Sequence, residues 1–354
     1  MKIITAPAKL HGEPQIESIA PKGDMLLFDI ETTGLSKVKT QTYLIGCAFY
    51  ENDSWMIRQY LAESALDERE ILESFFQFAS GYQYLVHFNG DGFDIPYLDF
   101  KQEFYGLGFD FTRFHSVDIY KYAKPLRKLL DRKSLSQKSI EEFLHIDRED
   151  QLNGGLLIPY YYEFERTGDP KAEELLLLHN FEDVQGMLEI PAILKYLSIL
   201  DGAFTFDHLE TSSGYAILTF HLNDEMPVPF ERSDEKRDVI VCAEGHMLQI
   251  SIRMFEGTAR FPLEDVENYY YLPAEDKVIH KDVAQFVDRQ YRKKATKKNC
   301  FLKKEGSFLP QNHPYFQPAY MVEGDKKRSY FELSQITDAE QELLTEYALD
   351  IING

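Results

Sequence analysis

The chain has 354 residues and a formal net charge of −21 at pH 7, with 59 Asp and Glu against 38 Lys and Arg. A field of that sign repels phosphate, which argues against a protein that binds nucleic acid through its overall charge. It does not exclude an enzyme that clusters carboxylates around metal ions. Three widely spaced cysteines form no disulfide or zinc pattern, and neither a signal peptide nor an apolar membrane span of about 20 residues is evident. We therefore expect a cytoplasmic protein with no membrane partner.

The first part of the chain predicts an α/β domain. Residues 1–23 contain several prolines and glycines and are expected to form an irregular N-terminal extension. Strands are predicted at 25–31, 41–50, 54–61, 82–88 and 114–117, with helices at 67–80 and from about residue 94. From 119 to 200 the pattern is helical. Ser139 and Glu142 suggest a capping box, Asp169 and Pro170 a helix start, and Pro191 a kink before about residue 197.

Beyond residue 200 the pattern changes to short strands between turns. They are predicted at 204–209, 215–222, 239–243, 247–254 and 258–261, followed by helical segments at 281–293 and 335–351. We therefore divide the chain into the extension 1–23, an α/β domain 24–200 and a smaller β-rich or mixed domain 201–354 of unknown role.

Asp29 and Glu31 are the most informative pair in the sequence. Residues i and i+2 of a strand point to the same face, so both carboxylates lie on one side while Phe28 and Ile30 lie on the other. Two such charges repel each other, and a hard divalent cation such as Mg²⁺ is the usual compensation. Asp-x-Glu is also common on ordinary strands, so the pair alone does not establish a site.

Two later segments supply further acids. Asp94 follows the glycine-rich loop 89–92 at a predicted loop-to-helix junction, where a simple N-cap is the structural alternative. His179 and Asp183 are i and i+4 on a helix and share a face, although His179 would also suit a satisfied core position. Asp118, at the end of its predicted strand, is a weaker acid candidate. Asp29, Glu31, Asp94 and Asp183 together predict a two-metal site for phosphoryl transfer, with His179 as a proton acceptor.

At these residues the chain resembles the DEDD exonucleases of the ribonuclease H-like superfamily. Phe28–Gly34 matches the first exonuclease motif, Asn89–Leu98 the second, and His179–Asp183 occupies the third. Gly154–Pro159, Tyr161-Tyr162 and Thr167-Gly168-Asp169 are similar to the bacterial YprB-like branch. The resemblance covers roughly residues 24–200 and does not extend to 201–354. Its motifs depart in one respect: His179 precedes the last Asp by four residues, the spacing at which relatives carry Tyr, whereas relatives with His place it five residues before.

The resemblance implies a mixed five-stranded sheet flanked by helices and a phosphodiester hydrolase that uses two Mg²⁺ or Mn²⁺ ions. It also implies nucleic acid as substrate, with single-stranded 3′ ends as the expected form. Catalytic roles would fall to Asp29, Glu31, Asp94, His179 and Asp183, with the four acids as metal ligands. Substrate-binding roles would fall to Thr32, Lys37, Asn89 and Phe93.

Two basic stretches interrupt the acidic chain. Arg289–Lys304 contains eight Lys and Arg and no acid, and a second basic stretch lies between residues 121 and 138. Each is either a phosphate-binding surface or a solvated face. The sequence leaves open a nucleic-acid-binding or scaffolding protein with little activity, and a structure-specific endonuclease. It does not distinguish DNA from RNA.

Overall fold

A computed structural model describes residues 1–10, 14–152 and 154–354, and it divides the chain into two compact units, Met1–Leu197 and Ser198–Gly354. The first unit is built on a six-stranded mixed sheet in the order β1-β4-β3-β2-β5-β6. β1 to β4 are antiparallel neighbours, whereas β5 and β6 run parallel to β2. The strands are β1 Lys2–Pro7, β2 Met25–Thr32, β3 Thr42–Glu51, β4 Ser54–Leu61, β5 Tyr84–His87 and β6 His115–Asp118.

The sheet has one strand more than predicted, because residues 2–7 form β1 instead of an irregular extension. This strand pairs with β4 over six consecutive residues, from Lys2 opposite Leu61 to Pro7 opposite Met56. Its side chains alternate between half-buried and exposed, and a proline at its end is tolerated at the edge of a sheet. The stabilising ladder is supplied by β4, which lies about 50 residues further along the chain, so the local sequence does not reveal it.

Helices cover both faces of this sheet. On one face Phe28 and Ile30 pack with residues of α1 and α2, including Phe75 and Leu98. On the other face residues of β3 and β4 pack against α6 and α7. The helices of this unit are α1 Glu68–Ala79, α2 Asp94–Tyr105, α3 Ile119–Ala123, α4 Leu126–Leu129, α5 Gln137–Phe143, α6 Gly154–Thr167 and α7 Pro170–Glu189, and α8 Leu197–Leu200 begins at its last residue.

The helix boundaries test the predicted caps. Asp169 caps α7 as predicted, since its side chain accepts a hydrogen bond from the Lys171 N–H. The predicted cap at Ser139 is wrong: Ser136 is the N-cap of α5, and the Ser139 N–H donates to it. After Glu189 the α-helix gives way to a 3₁₀ segment, Ile190–Tyr196, because Pro191 has no N–H to donate.

The second unit is β-rich. Its three sheets have the orders β7-β8-β11-β10-β9, β12-β16-β17 and β14-β13-β15. The predicted helix at 281–293 is wrong, since only its first four residues are α-helical, whereas the C-terminal helices are close to expectation. The elements are β7 Phe204–Ser212, β8 Tyr215–Leu222, β9 Phe230–Asp234, β10 Val239–Glu244, β11 Met247–Arg253, β12 Phe255–Pro262, β13 Tyr269–Leu272, β14 Lys277–His280, α9 Lys281–Ala284, β15 Lys293–Lys294, β16 Phe301–Gln311, β17 Ser329–Glu332, α10 Gln335–Asp338 and α11 Gln341–Asn353.

The helix-flanked mixed sheet with a separate β-rich C-terminal part confirms the predicted fold class. No helix in the described part of the chain has the length and apolarity needed to cross a bilayer.

Candidate active site

The site begins on β2, the strand between β3 and β5. Because Phe28 and Ile30 face α1 and α2, the alternation of the strand turns Asp29 and Glu31 toward the opposite face, where α7 contacts β2 and β3. Glu31 is buried and Asp29 is half-buried. These carboxylates are therefore held on the central part of the sheet, beneath a helix.

Asp94 approaches β2 from the first residue of α2. The Ile30 N–H lies 3.4 Å from Asp94 Oδ1, so the second motif directly contacts the strand of the first. His87 fixes the loop before α2, because its Nδ1 accepts a hydrogen bond from the Gly90 N–H at 3.0 Å. A Cβ on Gly90 would lie 2.7 Å from that imidazole, so the tight approach requires glycine. Burial lowers the pKa of His87, in keeping with a neutral ring.

α7 brings the third set of side chains to the same place. His179 Nε2 lies 3.3 Å from Glu31 Oε1 and 3.1 Å from Asp183 Oδ2. His179 is 3% exposed, and it therefore occupies the site rather than the surface of the helix. Glu31, His179 and Asp183 each offer one ligand atom, and these atoms all lie within 4.8 Å of one another.

Asp29 and Asp94 belong to the same cluster, as the charges that act on the pKa of Asp29 show. Burial, followed by the charges of Asp94, Glu31 and Asp183, raises the pKa of Asp29 well above its ordinary value. Burial and the charges of Asp183 and Asp94 do the same to the pKa of Glu31. Burial raises the pKa of Asp94 to about 7, against hydrogen bonds from its own N–H and that of Ile30. Asp29, Glu31 and Asp94 thus share with Asp183 a region in which their own negative charges are poorly compensated.

Two residues that the sequence did not single out, Asp150 and Arg148, contact this cluster, together with Lys138 from the end of the basic stretch 121–138. Asp150 Oδ2 lies 2.7 Å from His179 Nδ1, and because a carboxylate only accepts, Nδ1 is the protonated nitrogen of this contact. Burial favours the neutral form of Asp150, but hydrogen bonds from the Leu152 N–H, His179 and Lys138 prevail and lower its pKa. Arg148 Nη2 lies 2.6 Å from Asp183 Oδ1. These residues belong to α5 and the connection to α6, which the motif spacing does not include.

Asn180 of α7 also holds Asp29 in place through a hydrogen bond. Asn180 Nδ2 donates to Asp29 Oδ2 at 3.2 Å, and its Oδ1 accepts from Gln59 Nε2 at 3.0 Å. Asn180 is fully buried and occupies space left by Gly46, which pairs with Asp29 across β2 and β3. Its position beside His179 in the third motif is the one signal in the sequence that pointed to it.

The remaining predicted residues make other contacts, although the charge of Asp118 contributes to the raised pKa of Asp94 after burial. Asp118 is an N-cap: its Oδ1 accepts from the N–H groups of Asn89 at 2.8 Å and Tyr120 at 3.1 Å. Thr32 donates its hydroxyl to the Gly34 carbonyl, and Lys37 extends toward the Pro96 carbonyl. Phe93 directly precedes α2 and contacts the Tyr97 ring, with 5.5 Å between centroids. The weaker candidate, Asp118, therefore supports the loop of the second motif from the end of β6.

The donor set fits a divalent metal ion. Carboxylate oxygens are preferred by Mg²⁺ and Mn²⁺, and an imidazole nitrogen is compatible with Mn²⁺. The raised pKa values of Asp29 and Glu31 reflect burial first and then repulsion between the carboxylates, and a cation would stabilise the charged forms against both.

Comparisons with known proteins identify the class of fold. Residues 26–194 match the family model described as the RNase_H superfamily. No curated protein sequence matches the chain. Among solved structures, it is similar to the family B DNA polymerase from the hyperthermophilic archaeon Pyrobaculum calidifontis, with 16% identity and a TM-score of 0.39. That match covers 63% of this chain and 39% of the polymerase chain.

The first unit therefore has a ribonuclease H-like fold. The matched stretch includes every residue of the acidic cluster, from Asp29 to Asp183. Fold and family match together support a nuclease-type function.

Proposed function

We propose that this chain is a divalent-metal-dependent 3′→5′ exonuclease of the DEDD type, close to the bacterial YprB-like branch, acting on single-stranded DNA or RNA. The observation that carries the proposal is the convergence of Glu31, His179 and Asp183, with Asp29 and Asp94 in the same electrostatic cluster. Phosphoryl transfer requires positioning and charge stabilisation, and clustered acids that hold metal ions provide both.

Asp29, Glu31, Asp94 and Asp183 would hold Mg²⁺ or Mn²⁺. Such ions supply Lewis-acid stabilisation of the negative charge on the phosphodiester oxygens. His179 has its Nδ1 proton engaged by Asp150, and its Nε2 faces Glu31 Oε1 and Asp183 Oδ2. With those carboxylates engaged by metal ions, Nε2 would accept a proton from the attacking water. The water oxygen forms the new bond to phosphorus, and the bond to the departing 3′ oxygen breaks.

A cleft of about 610 Å³ supports a path for the strand beside these residues. Asn89 of the second motif lies at its wall, and so does Gln137, which donates to the Asp183 carbonyl at 2.7 Å. Its basic and aromatic lining suits phosphates and unstacked bases. Other residues of the lining are Phe88, Tyr120, Lys124 and Arg127.

The test is digestion of 5′-labelled single-stranded oligonucleotides with Mg²⁺ or Mn²⁺. We expect a ladder that shortens from the 3′ end, no cleavage of circular strands, and loss of activity with a chelator. Asp29→Asn and Asp183→Asn should each lower kcat roughly 100- to 1,000-fold, because several kcal/mol of charge stabilisation are removed. Asp24→Asn, just before β2, removes one charge outside the cluster and should retain activity. Cleaved circles would indicate an endonuclease instead.

One observation favours a second candidate, a nucleic-acid-binding protein that keeps the fold with little activity. Arg148 Nη2 already pairs with Asp183 Oδ1 at 2.6 Å, so a guanidinium neutralises part of the negative charge that would otherwise attract a divalent ion. Calorimetric titration with Mn²⁺ separates the two candidates. Binding that Asp183→Asn abolishes supports the enzyme, whereas absence of binding supports the second candidate.

A further inference from the structure

The second unit presents an exposed surface that the proposed active site does not use. We call residues 283–298, which run from the end of α9 through β15, the basic aromatic loop. This segment contains six Lys and Arg and one acid, Asp288, in a chain whose net charge is −21. Phe286 is 84% exposed and Tyr291 is 59% exposed, which is unusual for side chains of that size.

Most cations of the basic aromatic loop have no acidic partner. Among the described residues, no carboxylate pairs with Arg289 or with any of four exposed lysines, Lys293, Lys294, Lys297 and Lys298. By contrast, Lys303 pairs with Asp276 and Lys304 with Glu332, so the end of the predicted basic stretch is neutralised within the fold. The uncompensated charge is thus confined to the basic aromatic loop.

The remaining cation, Arg292, holds the loop in shape. Its guanidinium donates to the Ala284 carbonyl and lies 4.9 Å from the centre of the Tyr270 ring. β15 then pairs with β13, placing Lys294 opposite Tyr270 and Lys293 opposite Tyr271. These contacts fix both ends of the basic aromatic loop. Phe286 and Tyr291 lie between them and remain exposed to solvent.

We propose that the basic aromatic loop binds a single strand of nucleic acid through its phosphates and bases. Unpaired cations match the backbone charge, and exposed aromatic rings provide stacking surfaces for bases. An anionic membrane fits less well, because interfacial binding uses a long amphipathic helix and α9 has four residues. The choice of occupant rests on the proposed function, in which the first unit cleaves such a strand. A second contact in the same chain would raise the effective concentration of long substrates.

The test measures binding of labelled single-stranded DNA and RNA of about 20 nucleotides to the full chain, without metal so that no cleavage occurs. The variant with Arg289→Glu, Lys297→Glu and Lys298→Glu changes three exposed positions outside β15. We expect its Kd to rise about tenfold or more, and the slope of log Kd against log salt to fall by about 2. Phe286→Ala should raise Kd about fivefold or more through lost stacking.

The matched control carries Lys236→Glu, Lys326→Glu and Lys327→Glu, the same change in net charge at exposed lysines elsewhere in the second unit. Its Kd should stay within about twofold of the wild-type value, apart from general repulsion. Equal weakening in both variants would overturn the proposal, as would unchanged binding in the first. Binding to phosphatidylserine vesicles without binding to oligonucleotides would overturn it as well.

Cleavage of a trinucleotide, whose two phosphodiesters leave little charge for a second contact, separates this proposal from the first. If trinucleotide cleavage is normal and binding is unaffected by the three substitutions, the surface proposal fails alone. If no substrate is cleaved but binding depends on the basic aromatic loop, the nuclease proposal fails and the surface remains.

Discussion

His179 shows how one side chain acquires its role from neighbours distant in sequence. Asp150 engages its Nδ1 at 2.7 Å, and Glu31 and Asp183 face its Nε2. Lys138 at 3.1 Å and Arg148 at 3.5 Å hold Asp150 in turn. The tautomer and orientation of the imidazole are therefore set by a connecting segment about 30 residues before it. Asp150 thus provides the contact that fixes the ring of His179.

Asp150→Asn tests this positioning role. The amide neither carries the charge that favours a protonated Nδ1 nor pairs with Lys138, so we expect kcat to fall about 10- to 100-fold with little change in KM. Asp147→Asn, an exposed residue of the same segment, serves as the control. Steady-state cleavage with saturating Mg²⁺ measures both parameters. Equal kcat values for the two variants would show that Asp150 does not position His179.

At the scale of elements, the site depends on the close approach of α7 to β3. Gly46 permits that approach: a Cβ there would overlap Asn180 Oδ1 and lie 2.8 Å from Val184 Cγ2. The hydrogen bond from Asn180 to Asp29 requires the same space. The absence of a side chain at Gly46 on β3 therefore allows Asn180 of α7 to reach Asp29 on β2.

The Gly46→Ala variant separates the effect of backbone preference on stability from the effect of side-chain packing. Backbone preference alone favours alanine by about 0.5–1 kcal/mol, but the overlap should lower the free energy of unfolding by about 1–3 kcal/mol. Urea denaturation measures the outcome, and cleavage should weaken as Asn180 shifts. At Gly23 a Cβ meets no atom within 4 Å, so Gly23→Ala is the matched control. If Gly46→Ala raised the free energy of unfolding, α7 would be able to shift and accommodate the added methyl group without loss of stability.

For the whole molecule, the concentration of acids makes stability depend on pH. The folded state raises the pKa of Asp94 from 3.8 to about 7. A raised carboxyl pKa contributes stability that is present below about pH 4 and is lost as the pH rises through about 7. Metal ions at the same carboxylates would oppose this loss, since they compete with protons for the ligand atoms.

We therefore expect the metal-free protein to lose stability between about pH 4 and pH 8, and Asp94→Asn to lose less. The difference between the two profiles should be of order 4 kcal/mol, at about 1.4 kcal/mol for each of about three units of pKa. Urea denaturation in a chelator over this range measures both profiles. Asp99→Asn removes a charge from the same helix and should follow the wild-type profile. Parallel profiles for wild type and Asp94→Asn would contradict the burial argument.

Local patterns in the sequence were sufficient for the fold class and for most strands and helices. Alternation along β2 predicted that Phe28 and Ile30 would turn away from Asp29, and Asp169 with Pro170 predicted the start of α7. Such signals reside in neighbouring residues, because backbone geometry repeats every two or 3.6 residues. The cytoplasmic location, the metal and the direction of cleavage stay predictions.

Tertiary structure alone decided the rest. β1 gains its hydrogen bonds from β4. The α-helix predicted at 281–293 ends at Ala284, and a 3₁₀ turn at Arg289–Tyr291 leads into β15, which pairs with β13. Folding brings Asp150, Arg148 and Gly46 to the site from separate segments of the chain. The spacing of these residues in the sequence follows no helical or strand period, so no local pattern predicts them. The order of acids in the sequence thus determined the kind of chemistry expected, whereas long-range contacts determined which side chains orient, neutralise and make room for them.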